Sequence, residues 1–162
     1  MLKVAPLVYP IGDSGQLLIL SSNVLRLFSE FQQKRCWMRE AGGQLFASFS
    51  EKGIEIQVAT KPRRADWRTR FGFQPSRVQD QKDIDSYFGL GLHYVGDWHT
   101  HPERFPKKSD LDVKSMRECF RESTHQLNGL ILVVVGTAEF PEGLEVSLHS
   151  GSDSHDLSAS ST

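Results

Sequence analysis

The sequence predicts a single α/β domain, and three observations lead to that class. The chain has 162 residues, enough for one domain to bury a hydrophobic core without disulfide bonds. Residues 24–31 and 109–122 carry apolar side chains at helical spacing, which is typical of amphipathic helices. Residues 54–59 alternate apolar and polar side chains, and 130–135 form a continuous apolar run, as strands do. Helical and strand patterns therefore alternate along one chain.

Composition and charge indicate what kind of protein this is and which partners it is expected to have. Hydrophobic residues make up 38% of the chain and charged residues 24%, which is ordinary for a soluble globular protein. The formal net charge of −1 gives no electrostatic reason to expect nucleic acid or an anionic membrane as a partner. Cys36 and Cys119 lack the spacing of a disulfide framework or a zinc site, so we predict a reducing, cytoplasmic compartment. The sequence has no signal-peptide pattern, and its longest apolar run is strand-sized, so no membrane segment is predicted.

The first half of the chain is predicted to form a strand, a helix and a hairpin. Turn residues at 12–15 precede a short strand over 17–20. A polar residue at 21–23 then caps the first amphipathic helix. The runs 45–49 and 54–59 follow, separated by a turn, and together they predict a β-hairpin.

The second half continues with helices and strands and ends in a polar tail. Residues 61–78 are irregular, rich in arginine and interrupted by proline. Helices are predicted over 78–90 and 109–122, and strands over 93–101, 129–136 and 143–150. Residues 151–162 are dominated by serine, with little apolar surface to bury, and are predicted to be disordered. The predicted domain therefore covers residues 1–150.

Two histidines separated by one residue are the main chemical signal. On a strand, alternate side chains share a face, so His99 and His101 are expected to project side by side. Imidazole nitrogens at that separation can bind one zinc ion, whose tetrahedral shell needs two further ligands. Asp112, in the first turn of the next helix, offers a third. Three protein ligands leave the fourth position for water, which is typical of a catalytic zinc site and favours a hydrolase.

Each of these residues also has a simpler interpretation. Ser109 and Asp112 fit the Ser-x-x-Asp capping box, which on its own only begins a helix. A carboxylate such as Glu40, near a helix end, can be a solvated surface group. Asp97 shares a strand face with His99, and we interpret it as a support for a ligand or an exposed strand residue. The capping and metal-binding interpretations are compatible, because a capped helix start is a rigid mount for a ligand.

The order of these residues resembles the JAMM signature of the JAB/MPN metallopeptidases. That signature is written here as His-Thr-His-Pro at 99–102, six further residues, and Ser-Asp-Leu-Asp at 109–112. The family also has a glutamate at the start of the strand that follows the first long helix, and Glu40 occupies that place. The resemblance covers residues 15–150. It implies a JAB/MPN (cytidine-deaminase-like) fold, in which helices flank a curved mixed β-sheet with zinc at one end.

The resemblance also implies a role for each site residue. His99, His101 and Asp112 would be the zinc ligands, Glu40 would hold the catalytic water, and Ser109 would help to stabilise the oxyanion. The implied reaction is hydrolysis of the isopeptide or peptide bond after the C-terminus of a ubiquitin-like modifier or a modifier-like conjugated protein. The compact size resembles the bacterial branch of the family, some members of which accompany conjugation machinery in antiphage systems of the CBASS type.

Three alternatives stay open from the sequence. One is a peptidase that trims a sulfur-carrier or ubiquitin-like precursor, and another is a non-catalytic MPN scaffold. The third is a metal-dependent nuclease, suggested by the interleaved cations and aromatic residues of 61–73. The resemblance favours an acidic, extended polypeptide as the partner of that segment, because in JAMM enzymes the region between the hairpin and the metal strand commonly helps to form the substrate groove. The near-neutral net charge speaks against a nuclease, and a solvated loop is equally compatible with the segment.

Overall fold

Strands supply most of the fold. The computed structural model describes residues 4–123, 125 and 127–161, and within them lie ten strands and three helices. In chain order these are β1 (Leu7–Pro10), β2 (Leu17–Leu20), α1 (Ser22–Phe31), β3 (Gly42–Ser50), β4 (Gly53–Ala59), β5 (Trp67–Thr69), β6 (Gly72–Gln74), α2 (Arg77–Phe88), β7 (His93–Thr100), α3 (Asp110–Glu122), β8 (Leu130–Val135), β9 (Leu144–His149) and β10 (Ser154–Leu157). The predicted α/β class is confirmed, whereas β1, β5, β6 and β10 fall where no strand is predicted.

Eight of these strands form one mixed sheet in the order β1-β2-β4-β3-β7-β8-β9-β10. Strand β2 runs parallel to β4, β7 runs parallel to β8, and the other neighbours are antiparallel. The backbone N–H of Ser160, just beyond β10, donates to the carbonyl of Val8 on β1 at 2.8 Å. The two edges of the sheet therefore meet, and the sheet is nearly barrel-shaped. The predicted curved mixed sheet is confirmed.

Helices α1 and α3 cover opposite faces of this sheet. Phe28 of α1 packs against Trp98 on β7 with ring centroids 5.1 Å apart, and both side chains are buried. On the other face, Met116 of α3 packs against apolar side chains of β8. All residues of β8 are buried, as its continuous apolar pattern predicts. Among the described residues, no helix combines the length and hydropathy that crossing a bilayer requires.

The C-terminal segment completes the sheet. The prediction of a disordered tail over 151–162 is wrong for residues 154–157, which form β10 and pair with β9 in antiparallel register. Pairing at a sheet edge is made by backbone groups, so a serine-rich composition does not exclude a strand. Leu157 and Ala159 also pack against the core. The structural domain therefore extends beyond residue 150.

Candidate metal centre

The histidine pair lies at the end of a central strand. His99 is on β7, paired with Gly42 on β3 on one side and with Val134 on β8 on the other. His101 follows the strand, and its backbone N–H donates to the carbonyl of Val135 at 2.9 Å. Because β7 is held on both sides, the two imidazoles are presented from a rigid part of the sheet.

The three residues predicted as ligands converge. The Nε2 atoms of His99 and His101 are 3.2 Å apart, and Asp112 Oδ2 lies 3.3 Å from the first and 3.5 Å from the second. Ligand atoms around a tetrahedral zinc ion with bonds of about 2.0–2.1 Å are about 3.3 Å apart. We refer to His99 Nε2, His101 Nε2 and Asp112 Oδ2 as the triangle, and it has the size of one face of a tetrahedral zinc shell. It is the one cluster of three or more potential metal ligands found in the described part of the chain.

Asp112 belongs both to this triangle and to the cap of α3. The backbone N–H of Ser109 donates to Asp112 Oδ2 at 2.8 Å, and Ser109 Oγ accepts from the N–H of Asp112 at 3.0 Å. Burial alone would raise the pKa of Asp112, but the hydrogen bond and charge of His99, the Ser109 N–H and the charge of His101 hold it well below its usual range. The carboxylate therefore stays ionised, as a metal ligand must.

His101 has a second partner that the sequence analysis did not identify. Its Nδ1–H donates to Glu103 Oε1 at 3.1 Å, and the same oxygen accepts from the backbone N–H of Lys107 at 3.2 Å. In the neutral imidazole this contact places the hydrogen on Nδ1, so the lone pair of Nε2 points at the triangle, which is how carboxylates commonly orient histidine ligands. The available sequence signal was a carboxylate two residues after a ligand, just beyond the proline that ends the strand.

Glu40 lies in a buried position between α1 and β3, with 6% of its surface exposed. Burial raises the pKa of its carboxyl to about 7. The charge of His101 lowers this pKa and the charge of Asp112 raises it, and both effects are smaller than that of burial. The charges of His101 and Asp112 both act on this carboxyl, so Glu40 lies near the triangle. A group with this pKa can accept or release a proton near neutral pH, as a general acid–base requires.

Contacts from distant parts of the chain hold the Glu40 segment in place. The backbone N–H of Glu40 donates to the carbonyl of Thr69 at 2.6 Å, and its carbonyl accepts from Arg68 Nε at 2.7 Å. Thr100, between the two histidines, accepts from the N–H of Ala41 at 3.0 Å and donates to Gln33 Oε1 at 2.7 Å. A buried threonine therefore joins the ligand strand directly to the residue after Glu40.

Asp97 is hydrogen-bonded within the protein and lies outside the triangle. The hydroxyl of Tyr94 donates to Asp97 Oδ1 at 3.0 Å and lies 3.5 Å from the sulfur of Cys119. Burial raises the pKa of Asp97 to about 6 and also raises the pKa of the Cys119 thiol. A thiol of raised pKa is a poor nucleophile, so this cluster gives no support for a cysteine peptidase.

A cleft of about 670 Å³ opens beside the triangle. Its walls include His99 and Asp112, with Ile84 of α2 and Met116 of α3 among the apolar side chains. The volume and the mixture of apolar and polar lining are suitable for an extended polypeptide segment rather than a globular surface.

The arginines of the segment 61–73 are mostly engaged within the protein. Arg63 pairs with Asp80 at 2.9 Å and also with Asp83 on α2. Arg68 binds the Glu40 carbonyl, and Arg70 donates to carbonyls of the segment after α1. These cations brace the loop instead of forming an open basic surface, which weakens the nuclease interpretation.

A comparison with protein-family models finds that residues 22–148 match the family described as prokaryotic homologs of the JAB domain. The match covers most of the chain. The chain belongs to this family. The JAB/MPN resemblance and the JAB fold inferred from it are therefore confirmed.

Relatives of the JAB chain include proteins named as isopeptidases. A protein of Escherichia coli named CD-NTase/cGAS isopeptidase is 29% identical over 108 residues, which is 65% of this chain and 69% of the relative. A Vibrio cholerae protein of the same name is 25% identical over 131 residues, covering 79% of this chain and 81% of the relative. The solution structure of a Desulfitobacterium hafniense protein is similar in fold, with a TM-score of 0.59, 14% identity, and coverage of 85% of this chain and 87% of that one.

Proposed function

We propose that this JAB domain is a zinc-dependent isopeptidase that cleaves the amide bond after the C-terminus of a ubiquitin-like modifier or modifier-like conjugated protein. The observation that carries the proposal is the triangle of His99 Nε2, His101 Nε2 and Asp112 Oδ2, with a buried glutamate beside it. Two imidazoles and one carboxylate are a donor set that zinc accepts, with a fourth position open.

The residues around the triangle divide the chemistry of amide hydrolysis among them. A zinc ion held there would supply Lewis acidity, polarising a carbonyl and lowering the pKa of water. Glu40 takes the proton from the attacking water and transfers it to the leaving amine, for which a pKa of about 7 is suitable. Ser109 Oγ accepts from the Asp112 N–H, so its own hydrogen is available for the oxygen of the scissile carbonyl.

The substrate proposal rests on the cleft and on the relatives. An extended C-terminal tail suits a cleft of about 670 Å³ whose walls include His99 and Asp112. The relatives named CD-NTase/cGAS isopeptidase support a conjugated nucleotidyltransferase as the modifier-like protein, in the cytoplasm of a bacterium with a CBASS-type antiphage system. Trp67 and Phe71, which are exposed on the β5–β6 hairpin, are proposed to contact the body of this substrate.

Cleavage of a model conjugate tests the proposal. The substrate is a CD-NTase whose C-terminal carboxyl is joined by an isopeptide bond to a lysine of a reporter protein. We expect the wild-type chain to release the reporter, a chelator to stop release, and added zinc to restore it. Glu40→Gln should keep stoichiometric zinc and lose about 10²–10⁴-fold in kcat.

The outcomes separate the alternatives. Cleavage of a linear modifier precursor but not of the isopeptide conjugate would favour the trimming peptidase. Absence of zinc from the purified wild-type chain would favour a scaffold, and metal-dependent cleavage of DNA would favour a nuclease. Cleavage by Glu40→Gln at the wild-type rate would show that the assigned mechanism is wrong.

A further inference from the structure

A three-residue ion cluster joins the start of α3 to the last two strands of the sheet. Lys108 immediately precedes Ser109, the N-cap of α3. Its backbone N–H donates to Glu145 Oε2, and its ammonium donates to Glu145 Oε1 at 3.1 Å and to Asp156 Oδ1. Glu145 is on β9 and Asp156 is on β10. We refer to Lys108, Glu145 and Asp156 as the Lys108 clamp.

The Lys108 clamp is shielded from water on the side of Glu145. The side chains of Lys108 and Glu145 are 14% and 21% exposed, whereas Asp156 is largely solvated. Burial alone would lower the pKa of Lys108, but the hydrogen bonds to Asp156 and Glu145 raise it, so the ammonium stays charged. Because Glu145 binds both the main chain and the side chain of Lys108, it fixes the path of the backbone as well as the position of a charge.

The register of the sheet places Glu145 on the same rung as a metal ligand. Glu145 is paired with Val134 on β8, and Val134 is paired with His99 on β7. Paired residues point to the same face of a sheet, and neighbouring strands are about 4.8 Å apart, so Glu145 and His99 are about 10 Å apart on one face. The clamp therefore connects the start of α3 to the rung that carries His99.

The capping box alone does not make this connection. Its two hydrogen bonds join Asp112 to Ser109 within the same helix start, so they orient the carboxylate but move with it. Met116 anchors the helix one turn further on by packing against β8. Besides the contact of Asp112 with His99, Lys108 bonds the N-terminal end of α3 to the last two strands of the sheet.

We propose that Glu145 is a positioning residue for the metal centre. Through Lys108 it fixes the start of α3, and so it keeps Asp112 Oδ2 within bonding distance of an ion that is shared with His99 and His101. Asp156 completes the clamp from β10, which gives the C-terminal strand a part in supporting the site. The inference rests on the proposed zinc chemistry but is measured first through metal affinity.

Glu145→Gln tests the inference, with Glu142→Gln as the matched control. The control removes an exposed carboxylate from the turn before β9. Residues that orient metal ligands typically change metal affinity 10–100-fold when mutated, so we expect the zinc Kd of Glu145→Gln to rise about tenfold or more. On the model conjugate we expect kcat to fall by about the same factor with KM within about twofold, because the cleft is unchanged. Glu142→Gln should match the wild type in all three quantities.

Two further variants of the Lys108 clamp should lose less zinc affinity than Glu145→Gln. Lys108→Met removes the ammonium but keeps the backbone N–H that donates to Glu145. Its loss of zinc affinity should therefore be smaller than that of Glu145→Gln. Asp156→Asn, at the solvated end of the clamp, should show the smallest loss. Faster hydrogen exchange at residues 108–113 in metal-free Glu145→Gln, but not in Glu142→Gln, should accompany the loss of affinity.

The outcomes distinguish this inference from the proposed function. If Glu145→Gln lowers the Tm while its zinc Kd and kcat stay within about twofold of wild type, Glu145 only stabilises the fold, and the inference is wrong. A wild-type chain that binds zinc but cleaves no conjugate would contradict the proposed function and leave the affinity measurement to decide on Glu145. A wild-type chain that binds no zinc would overturn both.

Discussion

The candidate metal centre has two halves, the predicted ligands and the glutamate, which we call the ligand half and the glutamate half, and different kinds of contact hold them. The ligand half is His99, His101 and Asp112, which come from the end of one strand and the start of the next helix. The glutamate half is Glu40, whose backbone is held by the β5–β6 hairpin. The residues of the first half come from one short stretch of chain, with the Lys108 clamp as a distant support, whereas long-range hydrogen bonds hold the second. Mutations in the two halves should therefore have different effects. Changes in the ligand half should alter metal affinity, and changes around Glu40 should alter turnover.

The two halves also shift the pKa of a carboxyl group in opposite directions. The pKa of Asp112 is held low, since the hydrogen bonds and charges of the histidines outweigh the effect of burial. The pKa of Glu40 is raised to about 7 because burial dominates there. One carboxylate is therefore permanently charged and suited to bind a cation, and the other can carry a proton.

The largest expected effect is the loss of metal when the ligand half is broken. His99→Ala or Asp112→Ala removes one corner of the triangle, so the zinc Kd should rise by well over the roughly 100-fold seen for supporting residues. Turnover should be lost with the metal. Zinc per chain after dialysis, measured by elemental analysis, checks this, and Glu40→Gln is the control that should retain zinc. A dialysed Asp112→Ala chain with full zinc would show that Asp112 is not a ligand.

The next effect concerns the pH dependence of the metal-free chain. Because Glu40 has a folded pKa of about 7 against an ordinary value of 4.5, the folded state holds an extra proton between these values. The contribution of Glu40 to the free energy of unfolding should therefore fall as pH rises from 4.5 to 7, by up to about 3 kcal/mol, beside the contributions of other groups with shifted pKa such as Asp97 and His149. Urea unfolding with a chelator present measures it.

Glu40→Gln should remove this contribution, so the free energy of unfolding of the wild type minus that of Glu40→Gln should fall as pH rises from 4.5 to 7. Asp112→Asn is the matched variant from the ligand half, and it should retain most of the fall, because Asp112 is ionised throughout this pH range. An equal slope in wild type and Glu40→Gln would show that Glu40 has no raised pKa in solution.

A smaller effect is expected at the contact between the halves. Thr100→Val keeps the shape of the side chain but leaves the N–H of Ala41 and the Oε1 of Gln33 without the hydroxyl that they bind. Unsatisfied buried groups cost about 1–3 kcal/mol each, so we expect the free energy of unfolding to fall by about 2 kcal/mol or more. Thr100→Ser keeps the hydroxyl and is the control. Equal stability of the valine and serine variants would show that the Thr100 hydroxyl does not help to hold the Glu40 segment in place.

The same difference between the halves explains what the sequence can predict. The ligand triangle and the capping box were predictable because the spacing of His99, His101 and Asp112 acts through one strand and one helix start, whose geometry is regular. The contacts of Glu40 with Arg68 and of Thr100 with Gln33 join residues far apart in the chain, and nothing in the local pattern of either partner indicates the other.

The fold shows the same division. The amphipathic helix α1 and the apolar strand β8 have strong periodic patterns, and both were predicted where they lie. Strand β10 was missed because its residues Ser154–Leu157 are mostly polar and are held by pairing with β9. Edge strands of this kind are specified by backbone hydrogen bonds, which leave little trace in composition.

The smallest effect on stability is expected at the aromatic tip of the hairpin that supports Glu40. Phe71 is 76% exposed, so Phe71→Ala should change the free energy of unfolding by no more than about 0.5 kcal/mol. If the β5–β6 hairpin contacts the body of the substrate, the same change should raise KM for the conjugate and leave kcat nearly unaltered. Phe88→Ala is the matched control, since Phe88 is 66% exposed but packs beside His93, at the opposite end of β7 from the metal centre. A KM unchanged by both substitutions would identify the hairpin as a solvated loop, in which Arg68 holds Glu40 and Arg70 holds the segment after α1.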